Sequence, residues 1–77
     1  MPRNLYNWSF ADVNRFLKER GFQVTHIRGS HYFYLGSVNG NLKQVSVAFH
    51  GQRIIKPKTM KSIIIQSGLS KDEWLKK

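Results

Sequence analysis

Between Ser9 and Gly21 the apolar residues Phe10, Val13, Phe16 and Leu17 recur at helical spacing, so they share one face of a helix. Arg15, Lys18 and Glu19 fall outside that face. Ser9 can cap the helix, and Asp12 stands at the third helical position, a variant of the capping box. Trp8, just before the cap, is placed to pack on Val13, and Gly21 can take the left-handed conformation that ends a helix. From Phe22 the period falls to two. Phe22, Val24 and His26 alternate with Gln23, Thr25 and Ile27, which predicts a strand over 22–28 with His26 partly buried on its apolar face. Gly29-Ser30 reads as a tight turn, and a second strand is expected over 31–38. Asn39-Gly40-Asn41 is a hairpin signal. A third strand follows over 42–49, with Val45, Val47 and Phe49 on one side.

After a loop from His50 to Lys56, Pro57 suits the first turn of a second helix. Met60, Ile63, Ile64 and Ser67 line one face of it, and Gly68 ends it. Ile65 falls partly off that stripe, which suggests a second buried contact or a partner surface. Ser70 and Glu73 form another capping-box pattern, giving a short C-terminal turn in which Trp74 and Leu75 cover the edge of the core. The expected fold is α+β: helix, three-stranded antiparallel sheet, helix and a short C-terminal turn, as a single domain over 1–77.

The hairpin admits two registers. With a two-residue loop at Asn39-Gly40, Tyr32 and Tyr34 share a face with Val47 and Val45. With a three-residue loop, Phe33 and Leu35 do, and His31 lies opposite Phe49. The second gathers more aliphatic surface on one face and is preferred on that ground. It turns Tyr32 and Tyr34 away from the core, where they can stack bases. Either register brings His31 to the end of strand three, close to His50.

Charge narrows the chemistry. The chain of 77 residues carries 13 Lys+Arg against 4 Asp+Glu, a net charge of +9 and a pI near 10.4. Between Arg20 and Lys71 there is no Asp or Glu, while Arg28, Arg53, Lys56, Lys58, Lys61 and all three histidines lie there. A two-metal nuclease or a carboxylate-based hydrolase needs acids in its site. What remains is a surface suited to phosphate, with imidazole as the side chain that ordinarily titrates near neutral pH. Cysteine is absent, which removes disulfide and thiolate chemistry. No apolar run approaches the ~20 residues of a membrane span, and Met1–Asn7 lacks the apolar core of a signal peptide. A cytoplasmic location without membrane contact is the expectation.

Several residues are candidates for chemistry. His31 follows the Gly29-Ser30 turn, so it stands beside backbone N–H groups that can meet a phosphate. It can serve as a general base or as a structural histidine at a strand end. His50 can be a complementary acid or a loop residue. Lys56, Lys58 and Lys61 cluster at the start of helix two, where a helix N-terminus already favours anions. Together with Arg28 they are phosphate-contact candidates, and Tyr32 is a stacking candidate. The three histidines have no compact ligand spacing, so neither a metal nor another cofactor is expected.

Gly21-Phe22, Arg28-Gly29-Ser30-His31-Tyr32, Val45-Ser46-Val47 with His50-Gly51, Ile55-Lys56-Pro57, Thr59-Met60-Lys61-Ser62-Ile63-Ile64 and Gln66-Ser67-Gly68-Leu69-Ser70 together resemble the HicA family. These are small toxins of bacterial toxin–antitoxin modules. The likeness runs from about Ser9 to Leu75. It implies a double-stranded-RNA-binding-domain-like fold, ribonuclease activity on mRNA and neutralisation by a HicB antitoxin. The family's catalytic histidine corresponds to His31, with His50 and Ser30 as candidate support. The chain departs from the family's usual pattern at Lys58 and at Ala48-Phe49, and its segment through Trp8 is longer than common. The resulting expectation is a metal-independent endoribonuclease with a histidine base. The alternative is a non-catalytic RNA-binding module of the same fold.

Overall fold

The computed structural model describes residues 5–75. The first helix, α1, spans Phe10–Glu19. Its capping box is complete: the Ser9 N–H donates to Asp12 Oδ2 at 2.9 Å, and the Asp12 N–H donates to Ser9 Oγ at 3.4 Å. At the other end the Phe22 N–H donates to the Leu17 carbonyl and the Gly21 N–H to that of Lys18. This double closure is the Schellman motif, and it needs the positive φ of 89° that Gly21 adopts. Phe10, Val13, Phe16 and Leu17 are buried, as their spacing predicts. Trp8 is fully buried too, with its ring set edge-on against Phe16 and Trp74.

Three strands, β1 (Gln23–Arg28), β2 (His31–Val38) and β3 (Asn41–Ala48), form an antiparallel sheet in that order. The hairpin register corrects the expectation. Tyr32 pairs with Val47, Tyr34 with Val45, and His31 with Ala48 rather than Phe49. Asn39 and Gly40 both have positive φ, 53° and 83°, the signature of a two-residue type I′ turn whose twist matches that of the strands. Turn chemistry therefore outweighs the aliphatic tally. The core accepts Tyr34 because its hydroxyl donates to Asn14 Oδ1 at 2.7 Å while the ring is fully buried. Tyr32 and Tyr34 thus face the core, not the solvent.

The face of β1 also differs from its simple alternation. The ladder shifts between Val24 and His26, so Thr25 is an extra residue in a β-bulge. Val24 points inward opposite Tyr34, and His26 swings outward opposite Phe33. His26 is exposed rather than partly buried. On β2, Gly36 lies directly under Phe22: a Cβ there would stand 2.6 Å from the ring.

The second helix, α2, spans Pro57–Ser67, and a short α3 spans Lys71–Leu75. Met60, Ile63, Ile64 and Ser67 are buried as their spacing predicts. Ile65 is 79% exposed and makes no second core contact. The Ser67 hydroxyl donates to the Ile64 carbonyl and accepts from the Leu69 N–H and the Trp74 indole N–H. Trp74 is part of the core itself, stacked on Phe16 at 4.0 Å, whereas Leu75 is left 43% exposed. Gln66 Oε1 accepts the Ser46 N–H at 2.9 Å, giving a partner to a backbone group of the edge strand β3. One hydrophobic cluster joins α1, the inner sheet face, α2 and α3. The fold is α+β, with the helix–sheet–helix arrangement of a double-stranded-RNA-binding-domain-like protein. Among the described residues no helix is long and apolar enough to cross a membrane.

Candidate nucleic-acid interface

The end of the sheet opposite the Asn39-Gly40 hairpin is built by the turn between β1 and β2. Gly29 there has φ of 59° and Ser30 does not share the positive φ, the pattern of a type II′ turn with glycine at its first central position. The turn closes on the pair Arg28–His31. Such directly opposed residues have Cβ atoms about 5 Å apart. Because Tyr32 points inward, Arg28 and His31 project from the outer face, away from the helices. Both are exposed. The Phe49 N–H donates to the Ser30 carbonyl at 2.7 Å, which carries the β2–β3 pairing past Ala48 and fixes His50 at the same end of the sheet.

His50 opens onto a different surface. A cleft of about 320 Å³ is lined by Phe10, Ala48, His50, Arg53, Lys56 and Thr59, among others. The segment before α1 holds its floor in place: the Ile55 N–H donates to the Trp8 carbonyl at 2.8 Å, and Ser9 bridges Ile54. Lys56 is the residue that caps α2, with no side-chain cap bond, and the first turn of α2 contains no acid. The positive end of the helix is therefore uncompensated beside two cations and an imidazole.

The sequence candidates thus divide. Arg28 and His31 share the outer sheet face next to the Ser30 turn. His50 and Lys56 share the cleft. Lys58 and Lys61 are exposed but do not line it; Lys61 instead borders a depression with Leu5, Tyr6 and Ile65. Tyr32 is half-buried, with Phe10 at 4.8 Å and Phe49 at 6.3 Å between ring centroids, so its ring belongs to the margin of the core. Arg53 is the cleft residue that periodicity and motif leave unmarked; its membership in the acid-free stretch is the signal that could have singled it out.

The acids lie elsewhere. Asp12 and Glu19 belong to α1, Asp72 and Glu73 to α3. Asp12 is engaged by the Ser9 cap, and Glu73 pairs with Arg20 at 3.2 Å. Arg20 also lies over the Phe16 ring at 4.8 Å. Among the described residues there is no cluster of His, Cys, Asp or Glu that could hold a metal ion. Behind the sheet, burial and the neighbouring Tyr32 push the Tyr34 hydroxyl up to about 12.

An α+β fold that presents cations and imidazoles at one end of its sheet, with its carboxylates confined to two helices, defines a small basic domain suited to a polyanion. The family model of the HicA toxin of bacterial toxin–antitoxin systems matches residues 10–69. The chain belongs to this family and has the toxin's part in such a module, which implies an antitoxin as its partner. No curated protein and no solved structure gives a significant match. The matched segment contains His31, His50 and Lys56 and stops short of Trp8 and Trp74, two large residues of this core.

Proposed function

We propose that the protein is a metal-independent endoribonuclease that cleaves mRNA with His31 as the general base. The observation that carries this reading is the cross-strand pair Arg28–His31 at an open turn. It sets an imidazole and a guanidinium side by side on an exposed, acid-free surface. His31 in its neutral form takes the proton of a ribose 2′-hydroxyl. The 2′-oxygen attacks the adjacent phosphorus, and the bond to the 5′-oxygen breaks. That oxygen leaves with a proton taken from solvent, because His50, the acid the sequence suggests, opens onto the cleft and not onto the face that carries His31. The products are a 2′,3′-cyclic phosphate and a free 5′-hydroxyl.

Arg28 stabilises the charge that grows on the phosphoryl oxygens, an electrostatic role that needs no metal. Arg53 and Lys56 in the cleft hold neighbouring phosphates, and the Ser30 turn supports the position of His31. A HicB-type antitoxin neutralises the toxin in this reading, and the family match supports that assignment.

The deciding experiment is incubation of wild type and His31→Ala with RNA in EDTA, with identification of the product ends. Wild type yields cyclic phosphate ends, and His31→Ala loses about 10²- to 10⁴-fold in rate with its circular dichroism unchanged. Undiminished cleavage by His31→Ala rejects the mechanism. So does loss of wild-type cleavage in EDTA, or cleavage at a 2′-deoxyribose position.

A further inference from the structure

The register arranges the outer face of the sheet in rows. Arg28, His31 and Ala48 form the first, and His26, Phe33 and Ser46 the second. In that second row the His26 and Phe33 rings stack, 4.3 Å apart and within 5° of parallel. The β-bulge creates the pair. In a regular ladder Thr25 would pair with Phe33, and His26 would fall on the inner face with Val24. Thr25 also ties the pair down: its hydroxyl donates to the Phe33 carbonyl at 3.3 Å and lies 3.2 Å from His26 Nδ1. Ser46 and Ala48, the neighbours on β3, are small, and Phe33 itself is half-buried.

We propose that the His26–Phe33 pair is a base-stacking platform for single-stranded RNA, and that it seats the nucleotide whose ribose His31 addresses. The proposal rests on the ribonuclease reading above and adds the form of the substrate. Phe33 stands two residues from His31 on the same face of β2, about 7 Å along an antiparallel strand, a span that one nucleotide bridges. A base can stack on an aromatic face only when it is free of its own helix, so the platform selects single strands, loops and ends. Charge favours RNA over an apolar protein partner. The row beside the platform carries Arg28 and His31, and among the described residues no carboxylate stands on this face. Two exposed leucines share this face, Leu35 in the row next to the platform and Leu42 at the far hairpin end.

The test is fluorescence anisotropy with a labelled 2′-O-methyl oligonucleotide, which cannot be cleaved through its 2′-oxygen, as a single strand and as a duplex. Phe33→Ala should weaken single-strand binding about tenfold or more, and His26→Ala should weaken it less. Phe33→Trp should restore binding, and Leu42→Ala should leave it unchanged. Circular dichroism confirms that each variant is folded. Wild-type affinity in Phe33→Ala overturns the proposal, and so does an equal loss for single strand and duplex. Loss of antitoxin binding with RNA affinity intact would make the face a protein-docking surface and overturn it too. Because binding is read without cleavage, these outcomes are separate from the His31→Ala assay, which tests the chemistry alone.

Discussion

Tyr34 shows how one residue can decide a face. Counting aliphatic positions sends it to solvent, yet its hydroxyl finds Asn14 and its ring fills the core. A period-two pattern carries no mark of such a partner, because Asn14 is 20 positions away. His31 was legible for the opposite reason: its setting is local, made by Gly29-Ser30 immediately before it. His26 was not, since one inserted residue inverts the face of every residue after it. The burial of Tyr34 has a pH consequence. Its hydroxyl titrates near 12 in the fold and near 10 in the unfolded chain. Below pH 10 both states hold the proton and stability does not depend on it. From pH 10 to 12 only the unfolded chain ionises, so stability falls with rising pH, by up to about 3 kcal/mol. Urea unfolding at pH 9, 10 and 11 should show this loss, and Tyr34→Phe should show a shallower one.

At the scale of the element, both long helices were readable from spacing and caps. The Ser9–Asp12 box, the glycine stop at Gly21 and the Pro57 start all lie within a few residues of what they control. The sheet was harder, because register depends on two segments at once. The Asn39-Gly40 pair did hold the answer, through its left-handed φ values rather than through hydrophobicity. Gly36 marks a close approach in the core, where β2 receives the Phe22 ring. Gly36→Ala forces that ring away from the strand and should cost about 1–3 kcal/mol, the range for overpacking a filled core. Chemical denaturation of the variant against wild type gives the value, with an unchanged m-value if the unfolded state is not altered.

For the whole molecule, the separation of charge was visible in the sequence and became spatial in the fold. The four acids sit on α1 and α3, while the sheet end and the α2 entry are left positive. Which cations act together was not visible, because the loop from His50 to Lys56 has no period. Binding to RNA should weaken with salt, with a log–log slope of about −0.7 for each phosphate neutralised on a single strand. Lys56→Ala should reduce that slope by about one phosphate, and Lys58→Ala, outside the cleft, by less; titrations at several salt concentrations measure both. The core is also a property of the whole. Trp74 stacks on Phe16 and meets Trp8, so Trp74→Ala should cost about 3–5 kcal/mol. That is a large share of the stability of a small domain, and thermal melts should show it. The same contact bears on the order of events during synthesis. Residues 8 and 16 leave the ribosome early, and their partner at 74 leaves late. Until then the sheet that displays His31 lacks part of its packing. A chain still lacking residue 74 therefore has an incomplete core, and the fold closes only once that residue has been added.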